Sequence, residues 1–459
     1  MFSRSVSKRG GRTGLAVLGA SLVAVLVAAC GSSGSGGGSS SSSTPPSGSG
    51  SSSSSAAPTS GKTVDLTYWT SSSQAEIDYL DSHFNDTHPG IKVTGQYITS
   101  ADNTTAKVVA ALKSGTEPNI LIGQDPSALP LFAQSGKVVD LSSALKTETD
   151  ALYPGIRSAL FYQGKQLGFA LGGVGNYLLF YNKDDFAKAG ISGPPTTWDQ
   201  LVTDAKTLTE KLSTSGKPHY GMYVPLGSSE WISYAWEALL WANGGELLNT
   251  DQTKVAFDSQ AGIDALTTWY DMVQRDHSAP TTSYAQGGSF DGAPAFAGHA
   301  VSMIIEGQWA LAEFKNINYG VALLPAGTSG KSAANIGIGV AVVFDKGADA
   351  NQAAETFVQW LGQPEQGAYL TSQSGGLPSA PDQLDQPLVK QQIAKQPTYQ
   401  IFAEQLKYGH TRPTVPAYAA ISQALSDNIN KCLTGKETPA QALSAAAAAG
   451  NAAIANAGS

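Results

Sequence analysis

Cysteine, histidine and charged residues are scarce in this sequence. The chain of 459 residues has two cysteines, six histidines and 14% charged residues. The histidines show no HExxH or other metal-ligand spacing, so we expect packing or surface roles for them and neither a metal site nor a cofactor. Cys432 has a helical, lysine-flanked context without a catalytic signature. If Cys30 is modified, as argued below, Cys432 has no partner for an intramolecular disulfide.

Positive charge is also scarce. The chain carries 28 Lys and Arg against 36 Asp and Glu, a net charge of −8. Four of these cations lie in the first twelve residues, and without them the balance is 24 against 36, a net charge near −12. Nucleic acid and anionic lipid are therefore not expected as partners through bulk charge. The low charge, with many Ser, Thr, Gln, Asn and Gly, is typical of an exported protein.

The apolar run at 15–29 is too short to cross a bilayer comfortably, which takes roughly 20 residues. It follows a basic segment and ends in Val27-Ala28-Ala29-Cys30, so residues 1–29 predict a secretory signal peptide. Small residues before a cysteine resemble the bacterial lipobox, in which the cysteine is diacylated and becomes the mature N-terminus. The alternative is ordinary cleavage at a small-residue site with Cys30 merely nearby.

Residues 31–61 are almost pure Ser and Gly, with a few Pro, Ala and Thr. Such a segment cannot bury enough apolar surface to offset its ordering entropy, so we expect it to be disordered. A flexible coil of about 30 residues spans roughly 30 Å. Residues 30–61 therefore predict a lipidated cysteine followed by a tether that holds a folded body clear of a membrane.

Strand and helix patterns alternate along the rest of the chain. Apolar residues alternate in 63–69 and 91–97, as expected for strands, and Ser73-x-x-Glu76 forms a capping box that opens a helix. A third strand is predicted at 119–122. This order predicts an α/β lobe with a largely parallel sheet, in which ligands lie beyond the carboxyl ends of the strands. About 400 residues could fold, which predicts two lobes.

Several short motifs follow one another along the chain after the tether. They are Tyr68-Trp69, 119–125 (NILIGQD), 179–184 (LFYNKD), 195–198 (PTTW), 298–303 (GHAVSM), Gly307-Gln308-Trp309, 319–321 (YGV), Leu324-Pro325, Arg412-Pro413 and 416–418 (PAY). Together with the lipobox, this order resembles the extracellular solute-binding proteins of ABC importers, in the branch that includes the maltodextrin-binding proteins. The resemblance implies a binding protein rather than an enzyme.

The resemblance also implies an architecture: the two-lobed periplasmic-binding-protein-like fold (type II), in which the cleft between the lobes closes by a hinge motion. By analogy the chain leaves lobe 1 near Gly172, returns near Pro325 and crosses again near Ser372. The Gly-rich segment 172–175 suits a hinge, because glycine tolerates changes of φ and ψ that other residues resist. The expected lobe 1 is 62–172 with 325–372, and the expected lobe 2 is 173–324 with 373–459.

A sugar is the expected solute. A sugar ring has an apolar C–H face and a rim of hydroxyls, so its sites combine aromatic rings with Asp, Glu, Asn, Gln and Arg. Trp69 and Trp309 follow strands where the family builds its cleft. Trp231 begins a helix, where simple packing is the alternative. The expected ligand-binding residues are Trp69, Ser71, Asp125, Asn176, Trp231, Glu306, Trp309, Gly337, Arg412 and Tyr418.

The polar members of this set each have a second interpretation. Asp125 aligns with a family carboxylate that receives sugar hydroxyls, or it is an N-cap. Glu306 accepts hydroxyls beside the neighbouring Trp, or faces solvent at a strand end. Asn176 could pair with a hydroxyl. Arg412 bridges hydroxyls or a carboxylate, or forms a structural ion pair, and Tyr418 is either an aromatic plate or helix packing.

Other functions stay open at this point. A polyol, a glycerol phosphodiester or a polyamine could replace the sugar, and Gly175 stands where maltodextrin binders have a carboxylate, which argues against maltodextrin itself. A cell-wall glycan enzyme or adhesin on the same tether is a further alternative, because a glycosidase needs only two carboxylates. If the solute is a sugar, we expect a monomer that is lipid-anchored through Cys30 on the extracytoplasmic face of the cell membrane. This monomer is expected to deliver its solute to ABC permease subunits.

Overall fold

The computed structural model describes residues 63–99, 105–227, 229–284 and 292–457. The predicted signal peptide, Cys30 and the tether lie outside these residues. Among the residues that the structure describes, no helix is long and apolar enough to cross a membrane.

The strands of the described ranges are two to eight residues long. They are β1 (Val64–Thr70), β2 (Ile91–Tyr97), β3 (Ile120–Gln124), β4 (Phe161–Tyr162), β5 (Lys165–Gln166), β6 (Phe169–Ala170), β7 (Gly175–Asn182), β8 (Tyr220–Met222), β9 (Val301–Gly307), β10 (Tyr319–Ala322), β11 (Ala334–Gly337), β12 (Val340–Val343) and β13 (Gly409–His410).

The α-helices of the same ranges differ widely in length. They are α1 (Gln74–Thr87), α2 (Thr105–Ser114), α3 (Leu129–Ala133), α4 (Lys146–Ala151), α5 (Pro154–Ser158), α6 (Lys183–Ala189), α7 (Trp198–Leu212), α8 (Glu230–Ala242), α9 (Gln260–Tyr270), α10 (Ala293–Ala297), α11 (Ala348–Leu361), α12 (Pro364–Ser374), α13 (Pro387–Lys395), α14 (Thr398–Gln405), α15 (Tyr418–Leu433) and α16 (Pro439–Ala457).

The first sheet has the strand order β2-β1-β3-β12-β6. β1 is parallel to both of its neighbours, whereas β12 is antiparallel to β3 and β6. The expected N-cap is present, since the Ser73 side chain accepts the N–H of Glu76 at the start of α1. The three strands predicted from the sequence, β1, β2 and β3, are parallel as expected, but β12 adds two antiparallel pairings, so the whole sheet is mixed.

The second sheet has the order β13-β11-β7-β9-β8, and β10 also pairs with β7. Successive side chains of a strand point to opposite faces, and β7 shows this clearly. Tyr177 and Leu179 enter one hydrophobic core, while Leu178 and Phe180 enter the other. Each sheet is the centre of one lobe, so the two-lobed α/β fold expected from the sequence is confirmed.

The chain passes between the two sheets at glycine-rich places. It leaves the first sheet after β6 and enters the second at β7, and Gly173 between them has a φ of +93°, a conformation that favours glycine. It returns between β11 and β12, whereas the sequence placed this return near Pro325. The two positions differ because β11, which follows Pro325, is still hydrogen-bonded to β7 and β13. A third connection follows α12, where Leu377 bridges to Val174.

Candidate functional site

Arg412 is the centre of a polar cluster to which both lobes contribute. Its Nη1 lies 3.0 Å from Asp125 Oδ2, at the end of β3 in the first sheet, and its Nε lies 2.6 Å from Glu230 Oε1, at the start of α8 in the second lobe. Its guanidinium carbon lies 4.2 Å from the centroid of the Tyr234 ring, a cation–π contact. The Arg412 side chain is only 17% exposed, so these contacts replace most of its water.

The charge of Arg412 is stabilised by its surroundings. Burial alone would lower the pKa of Arg412, but Tyr234, Asp125, Tyr418 and Glu230 act in the opposite direction and raise it above its ordinary value. The guanidinium is therefore a fixed cation between two carboxylates, and the cluster of these three groups has a net charge of −1.

The two carboxylate oxygens of Asp125 have different hydrogen-bond partners. Oδ1 caps the 3-10 helix that follows β3, because it accepts the Ser127 N–H at 2.9 Å and the Ser127 hydroxyl at 2.6 Å. Oδ2 accepts from Arg412 at 3.0 Å. Pro126 at the first helical position needs no N–H partner, so it fits this turn. The capping and site interpretations of Asp125 are thus compatible.

Glu230 is held by the start of α8. A carboxylate in the first turn of a helix is favoured by the helix dipole. Its Oε1 accepts the Arg412 Nε–H and, at 3.1 Å, the Tyr418 hydroxyl. Tyr234 follows one turn later on the same face, which brings its ring under the guanidinium. The sequence Glu230-x-x-x-Tyr234 therefore builds one wall of the site.

Glu237, one turn beyond Tyr234 in α8, is buried behind this wall. Its Oε2 accepts from the Asn335 side chain at 3.0 Å, and its Oε1 has no hydrogen-bond partner among the described residues. Burial raises the pKa of Glu237 well above its ordinary value, although Arg412 acts to lower it. Glu237 therefore holds its proton to a higher pH than an exposed glutamate.

Aromatic rings continue the site from the second lobe. Tyr177 of β7 lies 5.4 Å from Tyr234 and 5.5 Å from Trp309, measured between ring centroids. Trp231 lies 6.3 Å from both Tyr177 and Trp309 and is 38% exposed. A Cβ at Gly175 would lie 2.9 Å from the Trp309 ring, so only glycine leaves room for this ring position. The rings form a continuous aromatic surface beside the polar cluster.

Trp309 is oriented by Glu306. The buried carboxylate accepts the indole N–H at 2.9 Å and the Gly307 N–H at 3.0 Å. The interpretation of Glu306 as a solvent-facing residue is therefore wrong, because the residue is only 4% exposed. Glu306 lies beside Trp309, as the other interpretation expected, and acceptance of ligand hydroxyls by Glu306 stays a prediction.

A cavity of about 360 Å³ adjoins the polar cluster, and we call it the cleft cavity. Its walls carry carboxylate, guanidinium and hydroxyl groups. The lining residues are Asp125, Ser127, Glu230, Arg412, Tyr418, Ala419, Ser422 and Gln423. Carboxylates and arginine accept and donate paired hydrogen bonds to hydroxyls, and aromatic rings pack against C–H faces. The arrangement can hold a small polyhydroxylated molecule.

The structure brings most of the expected residues together. Asp125, Arg412 and Tyr418 line the cleft cavity. Trp231 and Glu306 line a smaller space of about 20 Å³ at the aromatic surface, next to Trp309. Gly337 also belongs to this region, because a Cβ there would lie 3.6 Å from the Tyr234 hydroxyl.

Three of the expected residues lie elsewhere or have other partners. The Trp69 indole donates to Gln96 of the edge strand β2 at 2.8 Å, and neither Trp69 nor Ser71 lines the cleft cavity. Asn176 is 1% exposed and donates to the Phe402 carbonyl at 2.9 Å. A hydroxyl of a ligand therefore cannot reach Asn176 without a rearrangement, because the side chain is enclosed by protein.

Three site residues were not selected from the sequence: Glu230, Tyr234 and Tyr177. The helical spacing of Glu230 and Tyr234 next to Trp231 was a usable signal, because it places a carboxylate and a ring on one face. Tyr177 gave no such signal, since its apolar strand YLLFY indicates core packing. Within the described ranges, no group of three or more His, Cys, Asp or Glu is arranged to hold a metal ion.

Comparisons with solved structures and with curated proteins find relatives of this chain. The crystal structure of the cyclic alpha-maltosyl-1,6-maltose binding protein from Arthrobacter globiformis is 27% identical, with a TM-score of 0.76, and covers 86% of this chain and 100% of its own. The sn-glycerol-3-phosphate-binding periplasmic protein of Escherichia coli is 26% identical over 414 residues, which is 82% of this chain and 88% of that protein.

A putative binding protein of Brucella abortus is 28% identical over 281 residues. That match covers 59% of this chain and 64% of the relative, which is less than two thirds of its length. The family model of the bacterial extracellular solute-binding proteins matches residues 65–368, well over half of the chain. With a two-lobed α/β fold and a polar, aromatic cleft cavity between the lobes, the chain belongs to the bacterial extracellular solute-binding proteins.

Proposed function

We propose that the protein is the extracytoplasmic receptor of an ABC importer and captures a mono- or oligosaccharide in the cleft cavity. The observation that carries this proposal is the position of Arg412, which contacts Asp125 of one lobe and Glu230 of the other beside an aromatic surface. A ligand bound there touches both lobes. It therefore favours the closed arrangement over the open one, which is the difference that a permease can recognise.

The chemistry of the cleft cavity supports an uncharged, hydroxyl-rich ligand. Asp125 and Glu230 offer acceptor oxygens, and Trp231 and Trp309 of the neighbouring aromatic surface offer rings for C–H faces. The cation that lines the cavity, Arg412, is already paired with both carboxylates. An anionic ligand would have to displace these partners and approach a cluster that is itself negative. The relative from Arthrobacter globiformis, named for a cyclic maltosyl-maltose, adds support for a sugar.

A glycerol phosphate is the second candidate. It is favoured by the 26% identical relative that is named for sn-glycerol-3-phosphate, and Arg412 is a suitable phosphate ligand in its chemistry. The ion pairs of Arg412 count against it. A polyol fits the same hydroxyl chemistry as a sugar, whereas a polyamine would compete with Arg412 for Asp125 and Glu230. A glycan enzyme or adhesin has less support, because the relatives reported above are all named as binding proteins.

We further propose that Cys30 carries the lipid anchor and that residues 31–61 form the tether. The lobe boundaries after residues 172 and 372 are those expected from the sequence, and the boundary expected at Pro325 is moved to the sheet change after Gly337. On this proposal the protein is a monomer on the outer face of the cell membrane and meets its permease subunits there.

Thermal unfolding of the purified protein with a panel of sugars, polyols, glycerol phosphate and polyamines tests the proposal. A ligand at a hundred times its Kd adds roughly 2.7 kcal/mol to the free energy of unfolding, which corresponds to about 2–4 °C for a chain of this size. We expect a shift with one sugar series that is lost in Trp309→Ala and kept in Tyr97→Ala, an exposed aromatic residue that does not line the cleft cavity. A shift with glycerol phosphate alone would establish the second candidate instead.

A further inference from the structure

A second cavity also reaches Arg412. Its volume is about 620 Å³, compared with about 360 Å³ for the cleft cavity. Arg412 is the one residue that lines both, so the second cavity has walls of its own. The volume lies in the range of small-molecule sites, which is about 300–1,000 Å³.

Both lobes contribute to the second cavity. One wall is residues 154–161, from the segment between β3 and β6 of the first sheet, and another is residues 241–252, which begin in α8. The third is the segment around β13. The Thr411 hydroxyl donates to the Gly155 carbonyl at 3.2 Å, which joins the first and third walls. A molecule in this space would therefore contact both lobes, as a ligand in the cleft cavity does.

Exposed aromatic rings converge on the second cavity. The described residues include five exposed large hydrophobic side chains, and Trp231 of the cleft is one of them. Phe161, 37% exposed, and Tyr408, 40% exposed, both line the second cavity. Exposed rings on a concave surface are typical of ligand sites rather than of free surface. Trp241 and His410, stacked at 4.5 Å and also in the lining, add a rigid pair of rings.

The second cavity has charged side chains of both signs. Its charged side chains are Glu246, Lys407 and Arg412, and Arg412 is already paired. Lys407 and Glu246 make no hydrogen bond or ion pair within the described ranges, so an acceptor and a donor of opposite charge are available. Burial lowers the pKa of His410, which keeps its ring neutral at neutral pH. This lining suits an uncharged ligand with hydroxyl groups.

We propose that the second cavity is a further binding site for an uncharged sugar, separate from the site in the cleft cavity. The rings of Phe161 and Tyr408 contact the C–H face of the sugar, and Lys407 and Glu246 bind its hydroxyls. The sugar stabilises the arrangement of the lobes in which the second cavity is formed. Because binding free energies are reciprocal, occupation of one site then changes the affinity of the other.

Saturation-transfer NMR with glucose, maltose and maltotriose as probes tests the proposal on the full chain. The background variant is Trp309→Ala, or Trp231→Ala if the first fails to fold, so that the cleft cavity is weakened. We expect at least one probe to keep a transfer signal in this background. The transfer signal should disappear when Phe161→Ala and Tyr408→Ala are added to this variant. Both side chains are exposed, so their removal leaves the core intact.

The matched control is Tyr97→Ala in the same background, because Tyr97 is 56% exposed and does not line the second cavity. This variant should keep the signal. The proposal of a second site would be overturned if the Trp309→Ala variant lost the signal of every probe. A signal that survives the removal of both Phe161 and Tyr408 would also overturn it. The cleft site is tested separately, by its response to Trp309→Ala in the otherwise unchanged chain.

Discussion

The indole N–H of Trp309 donates a hydrogen bond to Glu306 Oε2 at 2.9 Å, and Glu306 is buried. The carboxylate thereby fixes the orientation of a ring that the proposed site uses for stacking. The same oxygen accepts the Gly307 N–H, so it is itself held by the backbone. Glu306 is a positioning residue in this arrangement, because it acts on the ligand through Trp309.

Glu306→Ala should weaken sugar binding about tenfold, because a hydrogen bond to a charged group contributes about 1.5 kcal/mol and that amount is close to a factor of ten in Kd. Glu306→Gln keeps an acceptor for the indole and should lose less. Titration calorimetry with the sugar that gives the largest thermal shift measures both. Equal Kd values for Glu306→Ala and the unchanged protein would contradict the positioning role.

Arg412→Lys should reduce sugar affinity although it keeps the positive charge. Lysine cannot contact Asp125 and Glu230 at the same time as it stacks on Tyr234, since it lacks the planar, forked guanidinium. We expect a fall of at least about tenfold in affinity, in line with the loss of one charge-assisted hydrogen bond. The midpoint of thermal unfolding and the Kd are measured together, and full affinity in the lysine variant would show that the fork geometry is irrelevant.

Gly175→Ala should displace Trp309, because the new Cβ would lie 2.9 Å from the ring. We expect weaker sugar binding with a small change in stability. The matched control is Gly193→Ala, at which an added Cβ meets no atom within 4 Å. Calorimetry should show weaker binding in the first variant and an unchanged Kd in the second, and the proposed ring position is contradicted if the two behave alike.

Glu237→Gln should become more stable relative to the unchanged protein as the pH rises. Burial raises the pKa of Glu237 in the folded state, so the unfolded chain loses this proton first and stability falls with rising pH above about 4.3. The nearby charges of Arg412, which lowers the pKa, and Glu230, which raises it, do not cancel this effect. Thermal unfolding between about pH 5 and pH 8 measures it. A constant difference between the two proteins would rule it out.

Cys432 should not react with thiol reagents in the folded protein. Its side chain is fully buried, and burial raises the pKa of the thiol to about 12, so the reactive thiolate is absent at neutral pH. Peptide mapping after alkylation should find Cys432 unmodified under native conditions and modified in denaturant. Rapid native modification would mean that α15, which carries Cys432, opens readily.

The sequence predicted those parts of the fold that depend on local pattern. The strand at Ile91–Tyr97 was located to the residue, and the cap at Ser73 is present, because period-two apolar residues and a capping box are local signals. The return between the sheets was placed too early. Its position depends on which strand β11 pairs with, and pairing between distant strands leaves no local trace in the sequence.

The residues of the site also differ in how well the sequence predicted them. Arg412 and Asp125 were selected from motif order, and the structure brings them within hydrogen-bonding distance although 287 positions separate them. Trp69 was selected by the same kind of reasoning, but its indole is directed to Gln96 of the neighbouring strand. A motif places a residue on an element, whereas the direction of its side chain depends on the partners that the tertiary fold provides.

The paired state of Arg412 has a consequence for the transport cycle. Because the guanidinium already pairs with Asp125 Oδ2 and Glu230 Oε1, a ligand hydroxyl that binds either of these two oxygens competes with Arg412. On the proposed function, sugar loading therefore replaces ion-pair contacts by hydroxyl contacts, and unloading lets the ion pairs re-form. On the proposed function, the emptied receptor regains both ion pairs of Arg412, and this recovery favours the release of the sugar.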